Sequence, residues 1–306
     1  MLYLVKDPTY RSIRFRVFIE NGFKLVRLEY KEFPDGEMYF RFLEDIDPRG
    51  VYLVLVRGFP DQERNILRAE MFTDTLHDLG AEKVILCMPY LPYARQDKRF
   101  LPGEPISVMT VAKRLAESSD VLVTVDVHNE EALSFLGDKF INIDTSNLWA
   151  SVIRRLLDPK ETLLIAPDIG RRKLVDRISG EVSVETLAFI KTRDRKTGKI
   201  IQHEPEDAER YTMLLSKIKN IVIIDDILAT GGTMASIIAR IRRDGFSGRV
   251  FCMSTHGLFL KDAYDKLVSA GADIILTTDT VENSFIYPEA SVCPLILKEL
   301  RTRNII

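Results

Sequence analysis

The sequence predicts an α/β protein made of two domains, each built on a doubly wound parallel sheet. The 306 residues are enough for two ordinary domains. Short apolar runs alternate with amphipathic stretches almost throughout, which is typical of parallel strands joined by helices that cover both faces of a sheet. Each half of the chain also carries acidic residues directly after an apolar run. This rough doubling puts a crossover between the halves in the region Ile143–Arg155, although no Gly-, Ser- or Pro-rich linker marks it.

The predicted strands are short apolar runs. They are Val51–Val56, Val84–Met88, Val121–Val125, Leu163–Ala166, Ile221–Ile224, Val250–Met253 and Ile274–Leu276. Two apolar stripes at helical spacing lie between them. One consists of Leu67, Met71, Phe72, Leu76 and Leu79, and the other of Val108, Val111, Ala112 and Leu115. Because ligands bind at the carboxyl ends of parallel strands, the polar residues that follow these runs are the functional candidates.

The composition indicates a soluble globular protein, with 46% hydrophobic and 29% charged residues. The net charge of −2 gives no reason to expect a nucleic-acid partner. No apolar run approaches the ~20 residues of a membrane span, and the N-terminus lacks a signal-peptide pattern, so we expect no membrane partner. The three cysteines, Cys87, Cys252 and Cys293, are interpreted as buried free thiols in a reducing compartment, which predicts a cytoplasmic protein.

The most informative segment is Ile221–Met234, which reads as a buried strand, two aspartates, a glycine-containing loop and a helix. Gly231 and Gly232 let backbone N–H groups point towards an anion, and the helix N-terminus adds its positive dipole. Asp225 and Asp226 would repel a bare phosphate but suit a ligand that also carries hydroxyls or a divalent cation. A lone Gly-Gly-Thr is more often a simple turn, yet the whole string favours a ribose phosphate.

Two other strand ends carry candidate residues. Asp126 and His128 follow Val121–Val125 and point to the same side, which suits a metal–phosphate complex. Taken alone, this pair is more often a helix cap with a partnered histidine. Asp168 follows the run Leu163–Ala166 in the same way.

Three loops add further candidates, each with a plainer alternative. The segment Pro89–Ser107 contains cations and aromatic residues that suit a polyphosphate and a purine, or it is a solvated basic loop. The basic run Phe189–Lys199 is an idle hairpin tip, or a lid whose Lys191 and Arg193 reach a transferring phosphate. Pro34-Asp35-Gly36 predicts a turn in a hairpin.

Together these segments resemble the ribose-phosphate diphosphokinases, also called phosphoribosyl pyrophosphate synthetases, over nearly the whole chain and in the family's order. The spellings of residues 193–198 and 230–234 are closer to archaeal members. The resemblance implies two domains of the phosphoribosyltransferase type. Residues 1–145 would bind ATP, residues 146–287 would bind the ribose phosphate, and the C-terminal segment 288–306 would pack back on the first domain.

The resemblance also implies a role for each motif. The implied ATP-binding residues are Phe33, Asp35, Glu37, Arg95, Gln96, Asp97 and His128. The implied ribose 5-phosphate-binding residues are Asp168, Asp225, Asp226, Ala229, Thr230, Gly231, Gly232 and Thr233. The implied catalytic residues are Lys191, Arg193 and His128, and the implied Mg²⁺ ligands are Asp126, His128 and Asp168. In this family the segment with Phe33, Asp35 and Glu37 reaches the ATP of a neighbouring subunit, so we expect a homo-oligomer.

The implied reaction is Mg²⁺-dependent transfer of a diphosphoryl group from ATP to the 1-hydroxyl of ribose 5-phosphate, which gives phosphoribosyl diphosphate and AMP. The chain departs from the family at two places: Arg171 follows Gly170 where a second glycine is usual, and Asn129 follows His128 where a glutamine is usual. These departures leave two alternatives open, another ribosyl-phosphate acceptor or a catalytically silent, nucleotide-binding regulatory paralogue. The presence of Lys191 and His128 favours an active enzyme.

Overall fold

The computed structural model describes residues 1–11, 13–193 and 200–306, with the backbone alone for residues 191–193 and 200–202. The strands in this part of the chain are β1 (Leu2–Lys6), β2 (Lys24–Leu25), β3 (Leu28–Glu32), β4 (Met38–Phe42), β5 (Val51–Leu55), β6 (Lys83–Cys87), β7 (Val121–Val125), β8 (Phe140–Ile143), β9 (Thr162–Ala166), β10 (Glu185–Arg193), β11 (Ile200–Pro205), β12 (Asn220–Leu228), β13 (Arg249–Gly257) and β14 (Ile274–Thr277). The α-helices are α1 (Arg16–Glu20), α2 (Gln62–Asp78), α3 (Ser107–Glu117), α4 (Ser146–Leu156), α5 (Arg172–Val182), α6 (Ala208–Leu215), α7 (Gly232–Arg243), α8 (Ala263–Ala270) and α9 (Cys293–Thr302). None of these helices combines the length and the apolar character needed to cross a membrane.

The first of two compact units comprises Met1–Asp144, Thr280–Glu282 and Ser291–Ile306. Its six-stranded sheet has the order β2-β1-β5-β6-β7-β8, and all neighbouring strands are parallel. The antiparallel pair β3–β4 forms a separate hairpin, whose connection contains the predicted turn. The C-terminal helix α9 belongs to this unit, and Arg301 at its end donates a hydrogen bond of 3.0 Å to the Asn21 side chain.

The second unit comprises Thr145–Asp279 and Asn283–Ala290. Its six-stranded sheet has the order β11-β10-β9-β12-β13-β14. All neighbouring strands are parallel except the edge strand β11, which runs antiparallel to β10. The predicted fold class, two α/β units with parallel sheets, is therefore confirmed. The assignment of ATP to one domain and ribose phosphate to the other stays a prediction.

The central strands of the second unit contain uninterrupted apolar runs because helices cover both faces of the sheet. Successive residues of β9 enter different cores. Leu163 and Ile165 pack among residues of α6, α7 and α8, whereas Leu164 and Ala166 pack among residues of α4 and α5. This arrangement explains why the sequence shows short uninterrupted apolar runs rather than alternation.

The three cysteines are free and buried, as the sequence predicts. Burial raises the pKa of the Cys87 thiol well above its ordinary value. Burial, with a contribution from the charge of Asp273, raises the pKa of Cys252 to about 12. Because the thiolate is the reactive form, these two thiols stay protonated near neutral pH and act as packing residues.

Candidate active site

The junction of β12 and α7 has the form that the sequence predicts, with one difference in length. Strand β12 continues to Leu228 and includes Asp225 and Asp226, whereas the predicted strand ended at Ile224. The extension arises because the pairing with β13 persists to Leu228, which lies opposite Gly257. The connection to α7 is therefore short, and both carboxylates stand on a strand instead of a loop.

The two glycines of this junction have different roles. Gly231 has a φ of 69°, in the left-handed region, and a Cβ there would lie 3.1 Å from the Ala263 carbonyl oxygen. Gly232 is the first residue of α7, and a Cβ there would have no heavy atom nearer than Thr230 Oγ1 at 4.0 Å. Gly231 thus satisfies a backbone requirement of the turn. Thr230 and Gly232 are exposed, and the first backbone N–H groups of α7 lack acceptors within the helix, which is the arrangement that binds anions.

Replacing Gly231 by alanine is expected to lower the free energy of unfolding by about 1–2 kcal/mol, because an L-residue there adopts the left-handed conformation and its Cβ contacts the Ala263 carbonyl. Gly232→Ala adds the same methyl group at a position with ordinary φ and open space, so it should leave stability unchanged. Urea unfolding of both variants measures the difference. Equal unfolding midpoints for the two variants would contradict this assignment.

An arginine lies against the two carboxylates at the end of β12. Arg171 Nη1 is 2.8 Å from Asp226 Oδ2, and its Nε is 4.0 Å from Asp225 Oδ1. All three side chains have little exposure to solvent, 16% for Arg171, 20% for Asp225 and 5% for Asp226. Burial and then the charge of Asp226 raise the pKa of the Asp225 carboxyl well above its usual value, while Arg171 opposes the shift. The pair is thus partly neutralised by the chain itself.

Arg171 is positioned by the turn that follows β9. This turn is a single 3₁₀ turn, Ile169–Arg171, and the Arg171 N–H donates to the Asp168 carbonyl at 3.1 Å. A Cβ on Gly170 would lie 3.1 Å from Asp168 Oδ1, so glycine permits the close approach of that carboxylate. The predicted ribose-site residue Asp168 and the acidic pair therefore belong to neighbouring strand ends, because β9 pairs with β12.

In the first unit, a hydrogen bond links the segment after β7, which contains the predicted ATP-binding residue His128, to the long loop that follows β6. Asp126 is 8% exposed and has a φ of 40°, and its N–H donates to the Ile143 carbonyl at 2.9 Å. His128 is half-buried. Asn129 Nδ2 donates to Asp97 Oδ2 at 2.7 Å. The structure therefore brings Asp97 together with the end of β7 through Asn129, one of the residues that depart from the family pattern.

The remaining predicted ATP residues differ in accessibility. Arg95 is exposed, whereas Gln96 directs its amide to backbone carbonyls of its own loop, 3.3 Å from Lys98 and 3.4 Å from Pro105. Phe33, Asp35 and Glu37 all lie in the connection between β3 and β4 and are exposed. The turn is held by a hydrogen bond of 3.0 Å from the Glu37 N–H to Asp35 Oδ1.

Comparison with known proteins decides the family. A model of the N-terminal domain of ribose phosphate pyrophosphokinase matches residues 5–118, and a model of the phosphoribosyl transferase domain matches residues 142–289. The ribose-phosphate pyrophosphokinase of Sulfurisphaera tokodaii is 33% identical over 259 residues, which cover 84% of this chain and 85% of that protein. The chain belongs to the ribose-phosphate pyrophosphokinase family.

The family resemblance inferred from the motifs is therefore confirmed, and the chain is an enzyme of this family. A second relative, the ribose-phosphate pyrophosphokinase of Methanopyrus kandleri, is 31% identical over 271 residues, 89% of each chain. Phosphoribosylpyrophosphate synthetase from Mycobacterium smegmatis shares the fold, with a TM-score of 0.84 over 99% of each chain and 23% identity. The first two relatives are archaeal, as the motif spellings indicate.

The predicted catalytic residues of this pyrophosphokinase, Lys191 and Arg193, lie at the end of β10. In the backbone, Lys191 is opposite His203 of β11, and the register shifts between Thr192 and Arg193. Their side chains and residues 194–199 of the predicted lid lie outside the described residues. Their catalytic role stays a prediction.

The predicted metal ligands are divided between the units, with Asp126 and His128 in the first and Asp168 in the second. Within the described ranges, no group of three or more His, Cys, Asp or Glu side chains is arranged to hold a metal ion. Mg²⁺ differs from zinc in this respect, because it keeps several waters and binds one or two carboxylates together with substrate phosphates. Asp126, at the end of β7, is a carboxylate of the kind that Mg²⁺ binds, and the assignment of these residues to a metal stays a prediction.

The residue that sequence reasoning missed is Arg171. The signal was present, since it stands where a second glycine is usual and directly follows the Asp168 turn. The sequence marks this position only as a departure from the family pattern and assigns no contact to the side chain.

Proposed function

We propose that this enzyme transfers the diphosphoryl group of ATP to the 1-hydroxyl of ribose 5-phosphate, giving phosphoribosyl diphosphate and AMP. The observation that carries the proposal is the β12–α7 junction. It combines two carboxylates at a strand end with a short glycine-containing turn and the exposed N-terminus of a helix. Backbone N–H groups there suit the 5-phosphate, and carboxylates suit the ribose hydroxyls. Family membership supports the same reaction.

The reaction forms a bond between the ribose 1-oxygen and the β-phosphorus of ATP and breaks the bond from that phosphorus to the oxygen bridging the α- and β-phosphates. AMP leaves with this oxygen, and the proton of the 1-hydroxyl is released. Such transfers need alignment and charge stabilisation more than covalent catalysis. We assign Lys191 and Arg193 to the charge that develops on the transferring oxygens, and His128 to the phosphates of ATP.

The remaining residues position the substrates. We assign Ala229, Thr230, Gly231, Gly232 and Thr233 to the 5-phosphate, and Asp168, Asp225 and Asp226 to the ribose ring. Arg95, Gln96 and Asp97 are assigned to ATP. Asp126, with His128 and Asp168, would hold Mg²⁺, which neutralises phosphate charge when bound.

We further infer a homo-oligomer in which Phe33, Asp35 and Glu37 of one subunit complete the ATP site of a neighbour. The exposure of all three residues at the tip of the β3–β4 hairpin supports this assignment. The mass of the active species in solution tests it, and an active monomer would contradict it. Free buried thiols are typical of a reducing compartment, which supports a cytoplasmic location.

The proposed reaction is tested by incubating the purified protein with ATP and Mg²⁺, with and without ribose 5-phosphate. We expect AMP to be released only when ribose 5-phosphate is present, in equal amounts to a new sugar diphosphate detected by ³¹P NMR. Release of ADP would indicate transfer of a single phosphoryl group, and AMP formation without the sugar would indicate hydrolysis. Either result, or no turnover at all, would reject the proposal.

A further inference from the structure

We propose that Arg171 is the resident cation of the ribose 5-phosphate site, in the place that a divalent cation would take beside Asp225 and Asp226. Ribose 5-phosphate then binds to the second unit without a divalent metal. The inference rests on the proposed function, because it concerns the acceptor of that reaction. It concerns the cation beside Asp225 and Asp226 and not the Mg²⁺ assigned to Asp126, His128 and Asp168.

The contact geometry supports this role. The guanidinium of Arg171 forms salt bridges with both carboxylates, since Nη1 is 2.8 Å from Asp226 and Nε is 4.0 Å from Asp225. Both aspartates also accept a backbone hydrogen bond, since Asp226 Oδ1 accepts the Ile227 N–H at 2.8 Å and Asp225 Oδ1 accepts the Asp226 N–H at 2.9 Å. The strand backbone therefore fixes the orientation of the two carboxylates that the guanidinium contacts.

The low solvent exposure of Asp225 and Asp226 also favours a cation beside them. Ionising two carboxylates on adjacent residues, exposed by 20% and 5%, is costly, and a nearby positive charge lowers that cost. A divalent ion can supply that charge, but only when it is bound. Arginine supplies it permanently, because its guanidinium does not deprotonate in proteins. A guanidinium beside the pair also opposes the entry of a second cation through charge repulsion.

The neighbouring arginine shows that this placement is specific. Arg172 begins α5, and its guanidinium forms salt bridges with Asp176, at 2.9 Å, and with Glu206. Arg171 and Arg172 thus carry the same charge at adjacent positions, yet only the former contacts the residues assigned to the ribose. This difference offers a matched control, Arg172→Gln, for the informative variant, Arg171→Gln.

The first measurement is calorimetric titration of ribose 5-phosphate into the wild-type chain and both variants, in EDTA and in excess Mg²⁺. We expect the wild-type chain and Arg172→Gln to bind with the same Kd in both conditions. Arg171→Gln should bind about tenfold or more weakly in EDTA, the usual effect of losing a charge-assisted hydrogen bond, and Mg²⁺ should restore much of the affinity. A wild-type chain that needs Mg²⁺ for binding, or an Arg171→Gln variant unaffected in EDTA, would overturn the proposal.

The second measurement does not depend on the sugar. Electron paramagnetic resonance of Mn²⁺ should show that Arg171→Gln gains a binding site that the wild-type chain and Arg172→Gln lack. Arg171→Lys keeps the charge at this position and should gain no such site, which separates loss of charge from local unfolding.

If the wild-type chain binds ribose 5-phosphate neither in EDTA nor in excess Mg²⁺, the proposed function is wrong. The Mn²⁺ result still decides whether Arg171 replaces a metal. Equal Mn²⁺ binding by all four proteins would reject that replacement.

Discussion

Replacing Lys191 by alanine should lower the rate of ribose 5-phosphate-dependent AMP release by a factor of about 10²–10³, the usual effect of removing one group that stabilises charge in a transition state. The expectation rests on the position of Lys191 near the end of β10, at the start of the basic segment that continues to Lys199. The oxygens of the diphosphoryl group gain and redistribute negative charge during transfer, and an ammonium group there favours the transition state over bound ATP.

The control for this variant is Lys217→Ala, which removes the same charge from an exposed position after α6. It should leave the rate unchanged. The two variants are compared by the initial rate of AMP release at saturating ATP and ribose 5-phosphate, so that a fall in kcat is separated from weaker binding. A Lys191→Ala enzyme with wild-type kcat and a raised KM would assign Lys191 to binding and not to the transfer step.

Most of the strands that the sequence predicts lie inside the two sheets, with a neighbouring strand on each side, whereas β14 is a partly buried edge strand. All seven apolar runs correspond to strands of the two sheets, β5, β6, β7, β9, β12, β13 and β14. Strands β1, β8 and β10 were not predicted. In β8 the polar Asn142 interrupts the apolar residues, so this segment lacks an uninterrupted apolar run. The run Leu2–Val5 of β1 is as long as Leu163–Ala166, so its length does not explain the omission, and the apolar residues of β10 lead directly into the basic segment interpreted as a hairpin tip or a lid. The antiparallel edge strand β11 was missed as well.

The site was predictable to the extent that it depends on local sequence. Asp225, Asp226 and Gly231 could be identified because strand, carboxylates and glycine turn follow one another within a few residues. The role of Arg171 could not, because it depends on β9 being the neighbour of β12, and the order of strands in a sheet is set by packing over the whole unit. The sequence marks Arg171 as a departure from the family pattern, but it does not show which side chains Arg171 contacts.

A second arginine missed from the sequence is structural. Arg68 on α2 lies 3.1 Å from Asp7 Oδ2, and the two side chains are 3% and 0% exposed. Asp7 follows β1, so it is another carboxylate at the carboxyl end of a parallel strand. Arg68 Nη1 also donates to Asn65 Oδ1 at 2.6 Å, and Nη2 donates to the Tyr30 hydroxyl at 3.0 Å. This network ties β1, α2 and the β3–β4 hairpin together inside the first unit.

Replacing Arg68 by methionine should therefore lower the free energy of unfolding by about 3–5 kcal/mol, because it leaves Asp7 as a buried charge without its cation. A change of that size is a large part of the ~5–15 kcal/mol typical of a folded protein. The matched control is Arg64→Met on the same helix, whose salt bridge to Glu32 is solvent-exposed and should contribute at most about 1 kcal/mol. Urea unfolding followed by circular dichroism measures both, and similar midpoints for the two variants would show that the buried pair stabilises the protein no more than a surface pair does.

A double variant that replaces Arg68 by methionine and Asp7 by asparagine should recover part of the lost free energy of unfolding. The reason is that the uncompensated charge of Asp7, and not the missing contact, is what makes the single substitution costly.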